Sequence, residues 1–259
     1  MSEKDLMYEV KDHLAYITIN REKYRNSISA QAVDLFMEYL GQAEKDADIR
    51  VVCVTGAGEK AFCSGADLGS SMSAEGEGKN QAFTNYANLL KRLAGYSKPT
   101  VARVNGYCLA GGTGFMLACD IVIARNDAKF GTPEVNVGLF PMMIGALIFR
   151  NVLKKKAMEM VLLGEKLTAD QAREMGLITQ AVPPDKLDET VDKILESLAA
   201  KSPIGMKIGK EAFYAMQDME FEDALDFLSE KLAEVASTQD AVEGITAFIE
   251  KRAPVFKGK

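Results

Sequence analysis

Apolar positions along the chain change period several times, and each change marks an element. "LAYITIN" (14–20) alternates apolar and polar residues and is rich in β-branched types, which predicts a strand. In 29–46 the apolar residues Val33, Phe36, Met37 and Leu40 recur at helical spacing, and Ser29 stands where an N-cap belongs. "VVCVTG" (51–56) is a short unbroken apolar run, the pattern of a buried strand. Residues 81–96 read as helix, "KPTVARVNG" (98–106) as a strand opened by proline, "GGTGFMLAC" (111–119) as a short apolar helix and "DIVIAR" (120–125) as a strand. Strands alternating with helices predict an α/β fold with parallel pairing. Further on, Thr168 with Gln171 three residues later forms a capping-box pattern, and "GLITQAVP" carries a last short strand. From Lys186 to Lys251 almost everything reads as helix, with a break at Ser202-Pro203. That break predicts two regions, a core over 1–201 and a helical region over 202–259. No internal repeat stands out.

Composition narrows the chemistry. The chain has 259 residues, 47% hydrophobic and 26% charged, as in ordinary globular proteins. A net charge of -6 argues against nucleic-acid binding through a whole-protein basic field. The acidic, polar start has no signal-peptide pattern and no apolar run is long enough to cross a membrane, so a cytoplasmic protein is expected. Cys53, Cys63, Cys108 and Cys119 lack metal or redox spacing and read as reduced, buried thiols. The one histidine, His13, falls in a hairpin turn, and no ligand cluster for a metal is visible. Carboxylates, hydroxyls and backbone groups remain.

Two glycine-rich stretches stand out. In "GYCLAGGTGF" (106–115) a helix opens near Gly111, where the first N–H groups lack internal partners. Gly111-Gly112 serves either a tight turn or the close approach of an oxygen that gains charge during reaction. "KAFCSGADL" (60–68) offers the same alternatives at Ser64, Gly65 and Ala66. Glu134, taken alone, reads as an acid at a helix N-terminus.

"KAFCSGADL", "SKPTVARVNGYCLAGG", "LACDIVIARNDAKFGTPEVNVGLFP", "LTADQAREMGLI" and "AFIEKR" occur in this order. Together they resemble the crotonase family, the enoyl-CoA hydratase/isomerase group, over about residues 7–257. The resemblance implies a spiral core of ββα units in two nearly perpendicular sheets, followed by a C-terminal helical trimerisation region. It implies a homotrimer or dimer of trimers, and acyl-CoA thioester substrates with no separate cofactor. The oxyanion donors map onto the N–H groups of Ala66 and Gly111, with Ser64, Gly65, Asp67, Leu68 and Gly112 around the substrate. Two well-known hydratases of the family use two glutamates. The first lies three residues after the oxyanion glycine, here Gly114, and the second is Glu134 in "GTPE". One carboxylate is therefore missing.

Glu134 is then the candidate acid/base, with burial against Val135, Val137 and Leu139 expected to raise its pKa. Hydration of an enoyl-CoA, double-bond isomerisation with Glu134 as sole proton shuttle, and non-catalytic acyl-CoA binding all remain open. Asp67 and Asp120 read as structural acids, and Ser70, Ser71 and Tyr107 as possible water holders with nothing to choose among them. Met142, Met143 and Ile144 are bulky where hydratases commonly carry small residues, and either reshape the acyl pocket or pack as helix core. Phe248 and Lys251 match positions that contact the CoA of a neighbouring subunit. Arg25 is a weaker candidate for the pantetheine or phosphate side.

Overall fold

The computed structural model describes residues 4–67 and 77–259. Leu68, Ser70 and Ser71 lie outside the described residues. The chain opens with a hairpin, β1 (Leu6–Lys11) and β2 (Leu14–Ile19), whose turn holds His13. Helix α1 (Ala30–Lys45) follows. Its Ser29 hydroxyl accepts from the Ala32 N–H at 3.1 Å, the N-cap bond that satisfies an orphan donor. Val33, Phe36, Leu40 and Ala43 repeat every three or four residues and are buried against the sheet.

Next come three successive units of strand, strand and helix. They are β3 (Val51–Gly56), β4 (Ala61–Cys63) and α2 (Glu77–Ala94); then β5 (Thr100–Val104), β6 (Tyr107–Leu109) and α3 (Gly111–Leu117); then β7 (Ile121–Arg125), β8 (Lys129–Gly131) and α4 (Met142–Asn151). In every unit the first strand joins one sheet and the second strand joins the other. The larger sheet runs β1-β2-β3-β5-β7-β10, with β10 (Gln180–Val182) parallel to β7. The smaller runs β4-β6-β8-β9, with β9 (Leu167–Thr168) antiparallel to β8. Pairing is thus parallel except at the opening hairpin and at β9. The ββα units implied by the resemblance are present. They repeat in conformation, although the sequence shows no repeat.

Three short strands, β4, β6 and β8, were not resolved by pattern. Each has only three residues, too few for a period. The stretch 98–106 accordingly breaks at Asn105-Gly106, and the chain starts a second strand rather than a loop.

After α4 come α5 (Lys154–Leu163), α6 (Ala169–Glu174) and α7 (Leu187–Ala199). The capping box at Thr168 is present, with Gln171 N–H donating to the Thr168 hydroxyl and Thr168 N–H to the Gln171 side chain. Helices α8 (Pro203–Ala215), α9 (Phe221–Ala236) and α10 (Gln239–Glu250) finish the chain. Ser202 caps α8 and donates to Asp240 at 2.8 Å, tying the break in the helical run to α10. All four cysteines are buried and unpaired. No helix among the described residues is long and apolar enough to cross a membrane.

Candidate active site

The small sheet brings the two glycine-rich stretches together. β4 pairs with β6, and β6 with β8, so residues 63–66, 109–112 and 131–134 leave three neighbouring strands in the same direction. Gly65 has φ +105°, and a Cβ there would lie 2.7 Å from the Ala110 methyl and 3.4 Å from Gly111 N. Only a residue without a side chain allows this approach. A Cβ on Gly112 would collide with the Cys63 backbone and lie 2.8 Å from Cys63 Cβ. The glycines of the two stretches thus face one another.

Gly111 is the first residue of α3 and follows Ala110, which has φ 49° and ψ -127°. This is strained for an alanine, by about 1–3 kcal/mol. It persists because the Ala110 N–H is anchored to the Gly131 carbonyl at 2.9 Å. The Thr113 hydroxyl donates to that carbonyl at 3.1 Å and to Cys108 O at 3.2 Å. As the first residue of the helix, Gly111 has an N–H that the helical ladder does not use. α3 has seven residues, so the direction of this N–H matters more than a macrodipole. Across the gap, Ala66 bridges Ile28: the Gly65 carbonyl accepts from Ile28 N–H and the Asp67 N–H donates to Ile28 O. The Ala66 N–H between them takes no part in these bonds, and Ala66 is exposed.

Gly131 also links this corner to Glu134, three residues on, in a short 3-10 turn over Pro133–Val137. Glu134 is half-buried and its Oε2 is buried with no hydrogen-bond partner among the described residues. Burial pushes its pKa above the ordinary glutamate value, opposed by a bond from its own N–H. Val137 and Leu139 were expected to supply that burial. Both are largely exposed. The correction has a simple cause: the turn reverses at Gly138 (φ +75°) and carries them outward.

At Gly114 the missing carboxylate leaves no room behind it. A Cβ there would lie 2.5 Å from Ile144 Cγ2 and 2.7 Å from the Tyr86 hydroxyl oxygen. Of the three bulky residues 142–144, then, Ile144 packs here, whereas Met142 is 74% exposed. Tyr86 donates to the Gly111 carbonyl at 2.7 Å and its ring meets Phe115 edge-on at 5.4 Å. Neither contact is legible from the helical pattern of 81–96, because no local motif says where a helical tyrosine points.

The remaining candidates divide. Asp67 pairs with Arg21 at 2.7 Å, and Asp120 accepts from Thr100 N–H and hydroxyl and pairs with Lys210. Arg25 is exposed, and its carbonyl accepts from the Ser64 N–H at 3.1 Å, which sets it beside the Gly65 loop. Ser64 Oγ lies 3.5 Å from Tyr24 O. Tyr107 is turned toward Lys166, whose ammonium sits 5.5 Å from its ring centre, and is not drawn into the Gly111 corner. Phe248 is 85% exposed, and Lys251 ends α10 in a left-handed conformation. No group of three or more potential metal ligands occurs among the described residues.

Comparison with known proteins bears on what this corner does. A family model described as enoyl-CoA hydratase/isomerase matches residues 9–259. The chain is 34% identical to a short-chain-enoyl-CoA hydratase of Clostridium acetobutylicum, covering 97% of each protein. It is 34% identical to an (E)-benzylidenesuccinyl-CoA hydratase of Thauera aromatica, over 96% of this chain and 98% of that one. Its fold matches the crystal structure of an enoyl-CoA hydratase from Bacillus anthracis with a TM-score of 0.94 at 32% identity, covering 98% and 100% of the two chains.

Proposed function

The chain belongs to the enoyl-CoA hydratase/isomerase family, and from that premise we propose that it adds water across the double bond of an enoyl-CoA thioester, or removes it in reverse, with Glu134 as acid and base. The observation that carries this reading is the Glu134 Oε2, buried and without a hydrogen-bond partner among the described residues, three residues after Gly131, whose carbonyl anchors the Ala110 N–H. An acid left in that condition costs stability, and a reacting proton is what it is free to take.

The steps balance with one carboxylate. Water attacks Cβ and gives a proton to Glu134, while the double-bond electrons move to the thioester oxygen as an enolate. The Ala66 and Gly111 N–H groups donate to that oxygen, each contributing about 3–4 kcal/mol in the transition state. Glu134 then returns the proton to Cα. Gly65 and Gly112 let the thioester come close to the backbone. Ser64 and Asp67 border the pantetheine path, and Met142 the acyl end. Arg25, with Phe248 and Lys251 from a neighbouring subunit, holds the CoA. The region 202–259 assembles a homotrimer or dimer of trimers, on which those last two contacts depend. The protein works in the cytoplasm and uses no separate cofactor.

Gly114 favours a second reading, double-bond isomerisation, because a lone Glu134 suffices to move a proton between Cα and Cγ. The acyl group stays open, since the two relatives above are named for a short chain and for a benzylidenesuccinyl group. A panel of short, branched and cyclic enoyl-CoAs in heavy-oxygen water, followed by mass spectrometry, tests the proposal. Label at Cβ that disappears in Glu134→Gln supports hydration. Deuterium carried from Cα to Cγ without label at Cβ replaces it with isomerisation.

A further inference from the structure

Position 114 is where a second carboxylate would stand, yet it is neither empty nor solvent-filled. The Tyr86 hydroxyl comes within 2.7 Å of where a Gly114 Cβ would be, and within 3.1 Å of the same point on Gly111. Its one proton is committed to the Gly111 carbonyl at 2.7 Å. A phenol that donates its proton keeps its lone pairs, so the Tyr86 oxygen can still accept a hydrogen bond. Ile144 closes the other side of Gly114 with its Cγ2 methyl. The ring is fixed by its edge contact with Phe115, which in turn stacks on Phe36 at 5.6 Å. The acceptor is therefore held rigidly. Burial, with the nearby Cys63 and Glu134, raises the phenol pKa well above its ordinary value, so the group stays neutral and protonated.

A water that adds to Cβ is oriented for attack when acceptors hold both of its hydrogens and a lone pair faces the carbon. Glu134 can accept one. Accepting on the glutamate reading above, we propose that Tyr86 is a catalytic residue of the water-adding step, its hydroxyl oxygen accepting the second hydrogen of the attacking water in place of the absent carboxylate. Tyr86 takes no proton in this scheme. The water O–H bond facing Glu134 breaks as its proton passes to the carboxylate, the C–O bond at Cβ forms as the double-bond electrons move to the thioester oxygen, and the hydrogen bonded to Tyr86 stays on the new hydroxyl. The same arrangement keeps Glu134 as the sole group exchanging protons with Cα.

This division makes two reactions separable in one protein. Addition of heavy-oxygen water to crotonyl-CoA needs both groups. Exchange of the Cα hydrogen of butyryl-CoA with deuterium oxide needs Glu134 and the oxyanion donors, but no attacking water. Tyr86→Phe keeps the ring against Phe115 and removes only the hydroxyl. It is expected to slow water addition 10- to 100-fold with KM within threefold, and to leave Cα exchange within threefold of the parent. Cα exchange also reports that the variant is folded with its site assembled. Equal losses in both reactions would mean that Tyr86 only braces the Gly111 turn, and would overturn the proposal, as would no loss in either. Glu134→Gln, measured alongside, is expected to lose both reactions. If it retains both, the glutamate reading fails and takes this one with it; if it loses both while Tyr86→Phe behaves otherwise than stated, only the role of Tyr86 fails.

Discussion

Two acids among the described residues, one buried and one half-buried, are treated in opposite ways. Asp240, near the start of α10, is 2% exposed. Its carboxylate accepts from Lys257 N–H at 2.7 Å, from Gly258 N–H at 3.0 Å and from the Ser202 hydroxyl at 2.8 Å. It fastens the C-terminal tail to the start of α8 through two backbone N–H groups and the capping hydroxyl. Glu134, at the end of the small sheet, keeps one oxygen buried and unbonded. Burial alone does not separate a structural acid from a chemical one. The state of its lone pairs does, because donors that engage a carboxylate stabilise its charged form and make it take a proton less readily.

The comparison is broken or sharpened by four measurements. Glu134→Gln should lower enoyl-CoA turnover by about 10²–10⁴-fold, the usual range for a general acid or base, while the melting temperature stays level or rises. A large fall in melting temperature would make Glu134 structural after all. Asp240→Ala should do the reverse. It strands two backbone N–H groups and a hydroxyl, and unfolding in denaturant should show a loss of about 2–4 kcal/mol. Turnover per folded protein should stay within a few-fold.

Gly114→Ala is expected to be milder. Its methyl meets Ile144 and Tyr86 at 2.5 and 2.7 Å, both side chains that can shift somewhat. The cost should be about 1–3 kcal/mol in stability, with a several-fold fall in kcat because the Tyr86 hydroxyl is displaced. The smallest effect is on pH dependence. Because burial raises the Glu134 pKa, the acid limb of kcat/KM should turn at a pH above the ordinary glutamate value, and Glu134→Gln should lack that limb. The sign for stability is opposite to that of an ion-paired acid. A folded-state pKa above the unfolded one means the folded protein holds the proton more tightly. The contribution is therefore full below the unfolded pKa of about 4.3 and is lost as pH rises through the folded value. Equilibrium unfolding of the parent and Glu134→Gln across that window checks it.

Much of the fold was legible because long elements carry their own period. α1, α2, β3, β5 and β7, and the capping box at Thr168, follow from spacing that a single pass along the chain detects. The three-residue strands β4, β6 and β8 did not, and they are what carry the loops of the site. Glu134 and the two glycine stretches were readable as motifs. The raised Glu134 pKa was expected from burial, and burial is its cause, although Val137 and Leu139, two of the three valine and leucine residues expected around it, are themselves exposed.

What the sequence determined by itself is chemical inventory and local form: one carboxylate in "GTPE", a glycine where its partner would stand, and bare backbone at Gly65, Gly111 and Gly112. What fills the vacant position was decided only in three dimensions. Tyr86 and Ile144 lie 28 residues before and 30 after Gly114, on two different helices. They meet at that glycine because α2 and α4 both pack against α3. Helical periodicity states which face of a helix is apolar, but not which neighbour that face will find. The position of a single hydroxyl depends on the packing of all three helices at once.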